Sequence, residues 1–261
     1  MTYNGGVTGL IGGASYVGGL ALQDDGWATT IKGTSVQNTG ILYCSVGTNN
    51  SKVCDTSRNS PPQIPLPFTD DNIQDWKNEA VGGGVYTGNY SVDWRGATLG
   101  PKKITGNLLV NGGGTLTLNG TLWVQGTVTV TGGGKVVLPA NFGQNSGVII
   151  SDSYITVSGG GSAGSGNSAS YLFFVSTSKC PNDTYCSGNS AININGGAGA
   201  IAANAQSGNV ALSGGANIRA VVGNSITVSG GSVVNYDSGL ASPSFVSGPS
   251  GGFSITSWKE N

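Results

Sequence analysis

The chain contains no histidine, and charged residues make up only 9% of its 261 positions. Without histidine it cannot form a Ser-His-Asp triad, a Cys-His nucleophile pair, a facial-triad iron site or a mixed cysteine–histidine zinc site. The net charge is −1 and there is no basic run, which argues against binding nucleic acid through phosphate neutralisation. The sequence therefore predicts no catalytic residue, no metal site, no cofactor and no nucleic-acid partner.

Long apolar runs are missing as well. No run reaches the roughly 20 residues that a membrane-spanning helix needs, and no signal-type apolar region follows Met1. Either the protein is soluble as it stands, or an export segment precedes this sequence. We expect contact with a membrane only through a segment that is absent from this chain.

Cysteine is scarce, and its four positions fall in two close pairs: Cys44 with Cys54, and Cys180 with Cys186. Both pairs lie in polar, loop-like sequence without the CxxC spacing of an all-cysteine zinc site. Three disulfide pairings are formally possible, and we predict the two local ones, Cys44–Cys54 and Cys180–Cys186. Disulfides are typical of oxidising compartments, so the pattern favours an extracellular location.

What the sequence does have is a repeat within Lys103–Leu138. A shift of 20 residues superimposes Asn107–Leu118 on Thr127–Leu138 and places one GGG on the other. The shift places Leu108, Val110, Leu116 and Leu118 on Val128, Val130, Val136 and Leu138. Self-similarity at a fixed period indicates a solenoid, and the strict alternation within each unit indicates short strands with one face turned inward. Glycine turn signals recur at Gly112, Gly132, Gly159, Gly196, Gly214 and Gly230. The predicted fold class is all-β, a right-handed parallel β-helix (β-solenoid), its hand taken from the general preference of parallel crossovers.

One short helix is predicted at Thr69–Val81. Thr69 is a candidate N-cap, Asp70 and Asp71 complement the helix dipole in the first turn, and Gly82 ends the helix. One face of this helix carries Ile73, Trp76, Lys77 and Ala80. Because the first coil of a solenoid has an open apolar end, we expect the helix to cap it.

The predicted organisation has two parts. Residues 1–82 form an N-terminal β region, a proline-rich loop and the capping helix. Residues 83–261 form the parallel β-helix, with Ser238–Trp258 as the cap of its far end. The helix and the N-terminal β region together are expected at the front of the first coil.

Carboxylates are the one remaining source of catalytic chemistry. Glycoside hydrolysis needs two of them across a cleft, but the regular solenoid contains only Asp152, Asp183 and Asp237. Their spacing does not predict two at matching positions on adjacent coils, so we expect no enzyme. A polysaccharide-active enzyme remains the alternative, with an acidic cleft around Asp93 and Arg95.

Trp123 is the candidate binding residue. Its neighbours Leu122 and Val124 take inward positions, so Trp123 is predicted to point outward, where an exposed aromatic ring could stack on a sugar. In the alternative interpretation the loop Pro139–Ser146 folds over the ring. The polar residues predicted to surround Trp123 are Thr121, Gln125, Thr127 and Thr129.

Several segments together resemble a known group of proteins. They are PPQIPLPFTDDNIQDWKNEA, VDWRGATLGPKKITGNLLVNGGGTLTLNGTLWVQGTVTVTGGG, NSGVII, CPNDTYCSG, and SGLASPSFVSGPSGG with SWKE close to the end. As a set they are similar to largely uncharacterised β-helical surface proteins of ultra-small candidate-phylum bacteria, many of which carry a PilX-like, pilin-like N-terminal membrane segment. The resemblance implies a β-helix outside the cell and offers no catalytic residues.

These observations lead to a functional expectation. We expect a non-enzymatic extracellular module at the cell surface, structural or adhesive, associated with a pilus or similar appendage. Its expected partners are other surface or pilus subunits, or glycans of a host or cell surface. The alternatives are a polysaccharide-active β-helix enzyme and a carbohydrate-binding module that uses Trp123.

Overall fold

A computed structural model describes residues 40–50, 52–57, 68–164, 170–196 and 201–234, together with the strands at 2–4, 11–14, 16–18, 21–22, 26–28, 37–38 and 244–245. Every structural statement below concerns these residues. The predicted proline-rich loop and most of the predicted far cap lie outside them.

The described chain consists of short strands and a single α-helix. The strands are β1 (Thr2–Asn4), β2 (Ile11–Ala14), β3 (Tyr16–Gly18), β4 (Ala21–Leu22), β5 (Gly26–Ala28), β6 (Gln37–Asn38), β7 (Leu42–Cys44), β8 (Val85–Tyr86), β9 (Tyr90–Val92), β10 (Ala97–Leu99), β11 (Lys102–Ile104), β12 (Leu108–Val110), β13 (Thr115–Leu118), β14 (Leu122–Val124), β15 (Val128–Val130), β16 (Lys135–Val137), β17 (Asn145–Ser151), β18 (Ile155–Val157), β19 (Ser162–Gly164), β20 (Leu172–Ser176), β21 (Ile192–Asn195), β22 (Ile201–Ser213), β23 (Asn217–Ile218), β24 (Ala220–Val228), β25 (Val233–Val234) and β26 (Ser244–Phe245). The helix α1 spans Asp70–Gly82, and short 3-10 turns span Ala140–Phe142 and Thr184–Cys186.

The strands form a parallel, solenoid-like stack, as predicted. After β12, β13 and β14 the chain returns to β15, which lies parallel and directly beside β12, with Leu108 opposite Val128. Leu116 likewise lies opposite Val136 on the next coil. The predicted repeat of 20 residues is therefore one coil, and the all-β fold class is confirmed. The right-handed sense and the division at residues 82 and 83 stay predictions.

Each regular coil contributes one strand to each of three sheets. The first sheet contains β9, β12, β15, β18 and β21, and we call its outer side the open face. The second contains β10, β13, β16 and β19. The third contains β8, β11, β14, β17 and β20, and we call its outer side the helix face. The long strand β22 joins the first and third sheets, because its two halves pair with β20 and β21.

The core consists of ladders of inward side chains. Leu108, Val128, Ile155 and Ile192 lie opposite one another on successive coils and are completely buried. Burial of apolar area contributes about 25 cal/mol per Å², so stacked coils are stable where a single coil is not.

The GGG corner has a steric explanation. At Gly132 and Gly133 φ is 56° and 76°, values that glycine adopts without strain. At Gly134 a Cβ atom would lie 2.3 Å from the carbonyl oxygen of Val110 on the coil below. The first two glycines therefore make the turn, and the third allows the coils to approach closely.

The helix is confirmed to within one residue of the predicted ends. The Thr69 hydroxyl accepts a hydrogen bond from the Asn72 backbone N–H, and the Asn72 side chain in turn accepts one from the Thr69 N–H. This reciprocal pair is a capping box, which satisfies two of the free N–H groups at the helix N-terminus.

The predicted end-capping role of α1 is wrong. Its buried residues Ile73 and Trp76 belong to an apolar cluster on the flank of the solenoid, outside the core. The other members of the cluster are Phe68, Val148, Ile150, Tyr171, Phe173, Val175, Ala202 and Phe245. The physical reason is that β17 and β20 carry apolar side chains on both sides, so their outer side must also be covered.

The N-terminal strands do not cap the front of the first coil, in contrast to the prediction. Strand β1 pairs in parallel with β24, with Thr2 opposite Thr227, so these strands continue the stack beyond its last coil. The strands β2, β5 and β7 form a separate parallel sheet, and Asp55 bridges to Tyr43 on β7. Both predicted disulfides, Cys44–Cys54 and Cys180–Cys186, are present.

Candidate functional site

Trp123 points outward from β14, as predicted, but its ring is already occupied. The Nζ atom of Lys103 lies 4.1 Å from the ring centroid, and the Nζ atom of Lys77 on α1 lies 5.0 Å from it. The indole Nε1–H donates a hydrogen bond of 2.8 Å to Asp152. Cations over an indole face are attracted by its quadrupole, so a sugar would have to displace them in order to stack there.

Asp152 is the centre of a polar cluster at the rim of the helix face. Its carboxylate forms a 2.6 Å ion pair with Lys77 and accepts hydrogen bonds from Trp123 and Thr177. The Lys77 and Asp152 side chains are only 15% and 27% exposed. Because partial burial strengthens such a network relative to a surface pair, the Asp152 cluster fixes α1 to the solenoid.

The loop closed by Cys180–Cys186 folds back onto this cluster. The hydroxyl of Tyr185 donates to the Asp183 carboxylate at 2.8 Å and makes a longer contact of 3.4 Å with the Asp152 carbonyl oxygen. The hydroxyl thus joins the Asp183 carboxylate to the backbone carbonyl of Asp152, whose own carboxylate pairs with Lys77. Coil spacing could not have predicted this contact, because the disulfide-closed loop leaves the stack.

The protonation of this loop does not suit acid catalysis. The backbone N–H of Lys179 and the hydroxyl of Tyr185 donate to Asp183 and hold its pKa below the usual value. Burial, together with the hydrogen bond to Asp183, raises the pKa of Tyr185 to about 12. Glycoside hydrolysis needs a carboxyl group that stays protonated through a raised pKa, and Asp183 is shifted in the opposite direction.

Asp93 and Arg95 form an exposed turn. Arg95 Nε lies 3.7 Å from Asp93 Oδ2, and the Arg95 backbone N–H donates to Asp93 Oδ1 at 3.0 Å. The two side chains are 71% and 53% exposed, for arginine and aspartate respectively. This arrangement is a local turn at a coil corner, which gives no support to the acidic cleft of the alternative interpretation.

The structure divides the predicted binding patch. Thr121 is buried, and its hydroxyl donates to Glu79 on α1 at 2.8 Å, so it belongs to the helix contact. Gln125 is exposed at the corner that follows β14, whereas Thr129 lies on β15 of the first sheet, around that corner, and Thr127 directly precedes that strand. Around Trp123 the structure places Lys77, Lys103 and Asp152 instead. Phe142, from the loop Pro139–Ser146, packs into the solenoid core instead.

The open face contains Thr129 from the predicted binding residues, but in a row of its own that does not include Trp123. One outward position of each strand forms a row in register: Ser91, Leu109, Thr129, Thr156, Asn193, Ala211 and Thr227. All are at least partly exposed, whereas Ile150 and Val175 at the corresponding positions of the helix face are completely buried. The signal in the sequence was a small or polar residue between two inward apolar ones on most of these strands, with Leu109 of β12 as the exception.

One edge of the open face carries a side-chain ladder. The backbone N–H of Asn107 donates to the Asn89 side chain, and the N–H of Thr127 donates to the Asn107 side chain, both at 2.8 Å. These bonds fix each coil on the one below. With strands stacked about 4.8 Å apart, the row is a rigid, uncharged surface that offers hydroxyl and amide groups.

No family model, no curated protein and no solved structure matches the chain. Within the described residues, no helix is long and apolar enough to cross a membrane. Nor do these residues contain a group of three or more acidic or cysteine side chains placed to hold a metal ion.

Proposed function

We propose that this protein is a non-enzymatic structural or adhesive module of the cell exterior, which presents its open face to a partner at the cell surface or on a pilus-like appendage. The observation that carries the proposal is the contrast between the two large faces. The chain covers the helix face with α1 and Phe245, whereas the row that contains Thr129 and Thr156 keeps contact with solvent.

The chemistry of the open face indicates the class of partner. Its outward row contains no charged residue, so long-range attraction to charged polymers contributes little. Threonine, serine and asparagine side chains offer closely spaced donors and acceptors. Such a surface suits a neutral, hydroxyl-rich glycan, or the polar surface of another subunit.

Two further observations support an extracellular role. The disulfides Cys44–Cys54 and Cys180–Cys186 form, and such bonds persist in oxidising surroundings. The resemblance of the sequence to β-helical surface proteins favours the same location.

The alternative functions have weaker support. A carbohydrate-binding module centred on Trp123 would have to displace Lys77 and Lys103 from the ring. An enzyme at Asp93 and Arg95 would have to act from an exposed turn. The open face needs no rearrangement to bind a partner.

The test compares glycan-array binding and binding to isolated cell envelopes for the wild type and three variants. Thr129→Lys places a long charged side chain at the middle of the open face. Thr117→Lys makes the same change on the outward side of β13, in the second sheet, as the matched control. Trp123→Ala removes the alternative aromatic platform. We expect Thr129→Lys alone to abolish binding, because it disrupts the flat neutral row.

Other outcomes would contradict the proposal. Loss of binding in Trp123→Ala with full binding by Thr129→Lys would move the site to the indole. Release of reducing ends or unsaturated sugars from a polysaccharide by the wild type would show an enzyme.

A further inference from the structure

One corner of the first coil differs from the corresponding corners of the later coils. Between the first and second sheets, the later coils turn through two central glycines with positive φ, as at Gly132 and Gly133. In the first coil the turn is Asp93–Gly96, closed by a hydrogen bond of 2.9 Å from its last N–H to its first carbonyl oxygen. Its central residues are Trp94 and Arg95, which take no positive φ. The first corner is therefore a different turn, one that presents two large side chains.

The need to fold does not explain the tryptophan in this turn. The Trp94 side chain is 74% exposed, although tryptophan is highly buried on average. Val85 and Tyr86, the other exposed large apolar residues of the first coil, lie on β8 of the third sheet, whereas the Trp94 corner joins the first and second sheets. The Trp94 ring is thus an isolated aromatic surface and not part of a larger apolar patch.

Two charged side chains are held beside this ring. The Arg95 Cζ atom lies 5.4 Å from the ring centroid, and Arg95 Nε lies 3.7 Å from Asp93 Oδ2. The Asp93 carboxylate also accepts the Arg95 backbone N–H at 3.0 Å, which fixes the turn. The two side chains are 71% and 53% exposed, for arginine and aspartate respectively. Both therefore keep hydrogen-bonding groups that a ligand can reach.

We propose that this corner, the Trp94 platform (Asp93, Trp94 and Arg95), binds a neutral sugar ring of a glycan. The inference rests on the proposed adhesive function and names its ligand. The C–H groups on one side of a sugar ring pack on the electron-rich face of an indole, while its hydroxyls bond to carboxylate and guanidinium groups. A protein hot spot, in contrast, is an aromatic residue enclosed by further contacts, which this corner does not offer.

The charges of the platform favour a neutral sugar. Asp93 and Arg95 carry opposite charges 3.7 Å apart, so their fields largely cancel at a distance. A uronic acid that paired with Arg95 would also meet the Asp93 carboxylate. A neutral sugar avoids this repulsion and can bond to both groups.

The platform also adjoins the open face. Ser91 of β9 begins the outward row of that face, and it precedes Asp93 by two residues. Leu109 lies opposite Ser91 on the next coil. A glycan with one ring on Trp94 can therefore continue along the row that begins at Ser91.

The test begins with an array of cello-, chito-, xylo- and manno-oligosaccharides beside oligogalacturonate. The strongest binder is then titrated into the full chain by isothermal calorimetry. Trp94→Ala removes the platform, Trp94→Tyr keeps an aromatic ring, and Trp123→Ala is the matched control; far-ultraviolet circular dichroism verifies that each variant folds. We expect a neutral oligosaccharide to bind, its affinity to fall at least roughly tenfold in Trp94→Ala, and Trp94→Tyr to recover most of it.

The open-face variant Thr129→Lys separates this inference from the proposed function. Binding that is lost in Thr129→Lys but intact in Trp94→Ala would overturn the platform and leave the open face as the site. Binding that is lost in Trp94→Ala but intact in Thr129→Lys would support the platform and contradict the role of the open face.

Two further results decide the class of ligand. Binding should be equally strong at low and high salt, because the platform has no net charge; preference for oligogalacturonate with strong salt dependence would contradict a neutral sugar. A wild type that binds no neutral oligosaccharide would overturn the proposal. Binding to isolated cell envelopes that still depended on Trp94 would then identify a protein partner.

Discussion

Replacement of Trp76 by alanine tests how α1 is held on the solenoid. Trp76 is 1% exposed and makes edge-to-face contacts with Phe68 and Phe245, at centroid distances of 5.0 and 5.1 Å. Phe173 of β20 packs against both of these phenylalanine rings. Trp76→Ala therefore removes the centre of the apolar cluster that covers the helix face.

The expected cost follows from the burial of the ring. Truncation of a fully buried tryptophan lowers the free energy of unfolding by about 3–5 kcal/mol, and each aromatic pair lost adds about 0.5–1.5 kcal/mol. The indole Nε1–H has no hydrogen-bond partner among the described residues, so the substitution removes no hydrogen bond to them. We therefore expect Trp76→Phe, which keeps much of the apolar volume, to cost clearly less than Trp76→Ala.

The measurement is equilibrium denaturation at low protein concentration, followed by native-state hydrogen exchange of the α1 amides. Trp94→Ala is the matched control, since Trp94 is 74% exposed and a surface change of this kind stays within about 0.5 kcal/mol. In Trp76→Ala we expect the α1 amides to exchange faster than those of β12 and β15, because the helix undocks before the coils separate.

An equal stability of Trp76→Ala and Trp94→Ala would refute this reasoning. So would unchanged protection of the α1 amides, because the helix would then be held by contacts other than the Trp76 cluster.

Two further predictions concern single residues. In a spectrophotometric titration, one tyrosinate signal near pH 12 should disappear in Tyr185→Phe, because the pKa of Tyr185 is raised from 10.0 to about 12. The contribution of the protonated Tyr185 to stability is therefore complete below pH 10.0 and is lost as the pH rises through 12. A Tyr185→Phe difference spectrum that titrates at pH 10 would contradict the contact with Asp183. Gly134→Ala should destabilise the protein strongly, since the new Cβ would lie 2.3 Å from the Val110 carbonyl oxygen. In Gly82→Ala the new Cβ meets no atom within 4 Å, so this variant should be more stable than the wild type by about 0.4–1 kcal/mol. Denaturant midpoints distinguish the two variants, and equal midpoints would contradict the steric argument.

Features that depend on neighbouring residues could be predicted from the sequence. The coil repeat follows from alternation and corner glycines within 20 residues, and the start of α1 follows from its N-cap Thr69. The disulfides join cysteines separated by 10 and 6 residues. Each of these depends on steric and hydrogen-bonding preferences that act over one or two turns of chain, so the local sequence is enough to specify them.

Features that depend on distant segments were decided by the tertiary structure. The apolar runs of β17 and β20 show that their outer side must be covered, but several segments have an apolar face, and only packing selects α1 and Phe245 for it. The same holds for β1 beside β24, and for Tyr185 between Asp152 and Asp183. Apolar burial has no direction along the chain, so its partners are selected by the shapes that meet once the coils have stacked.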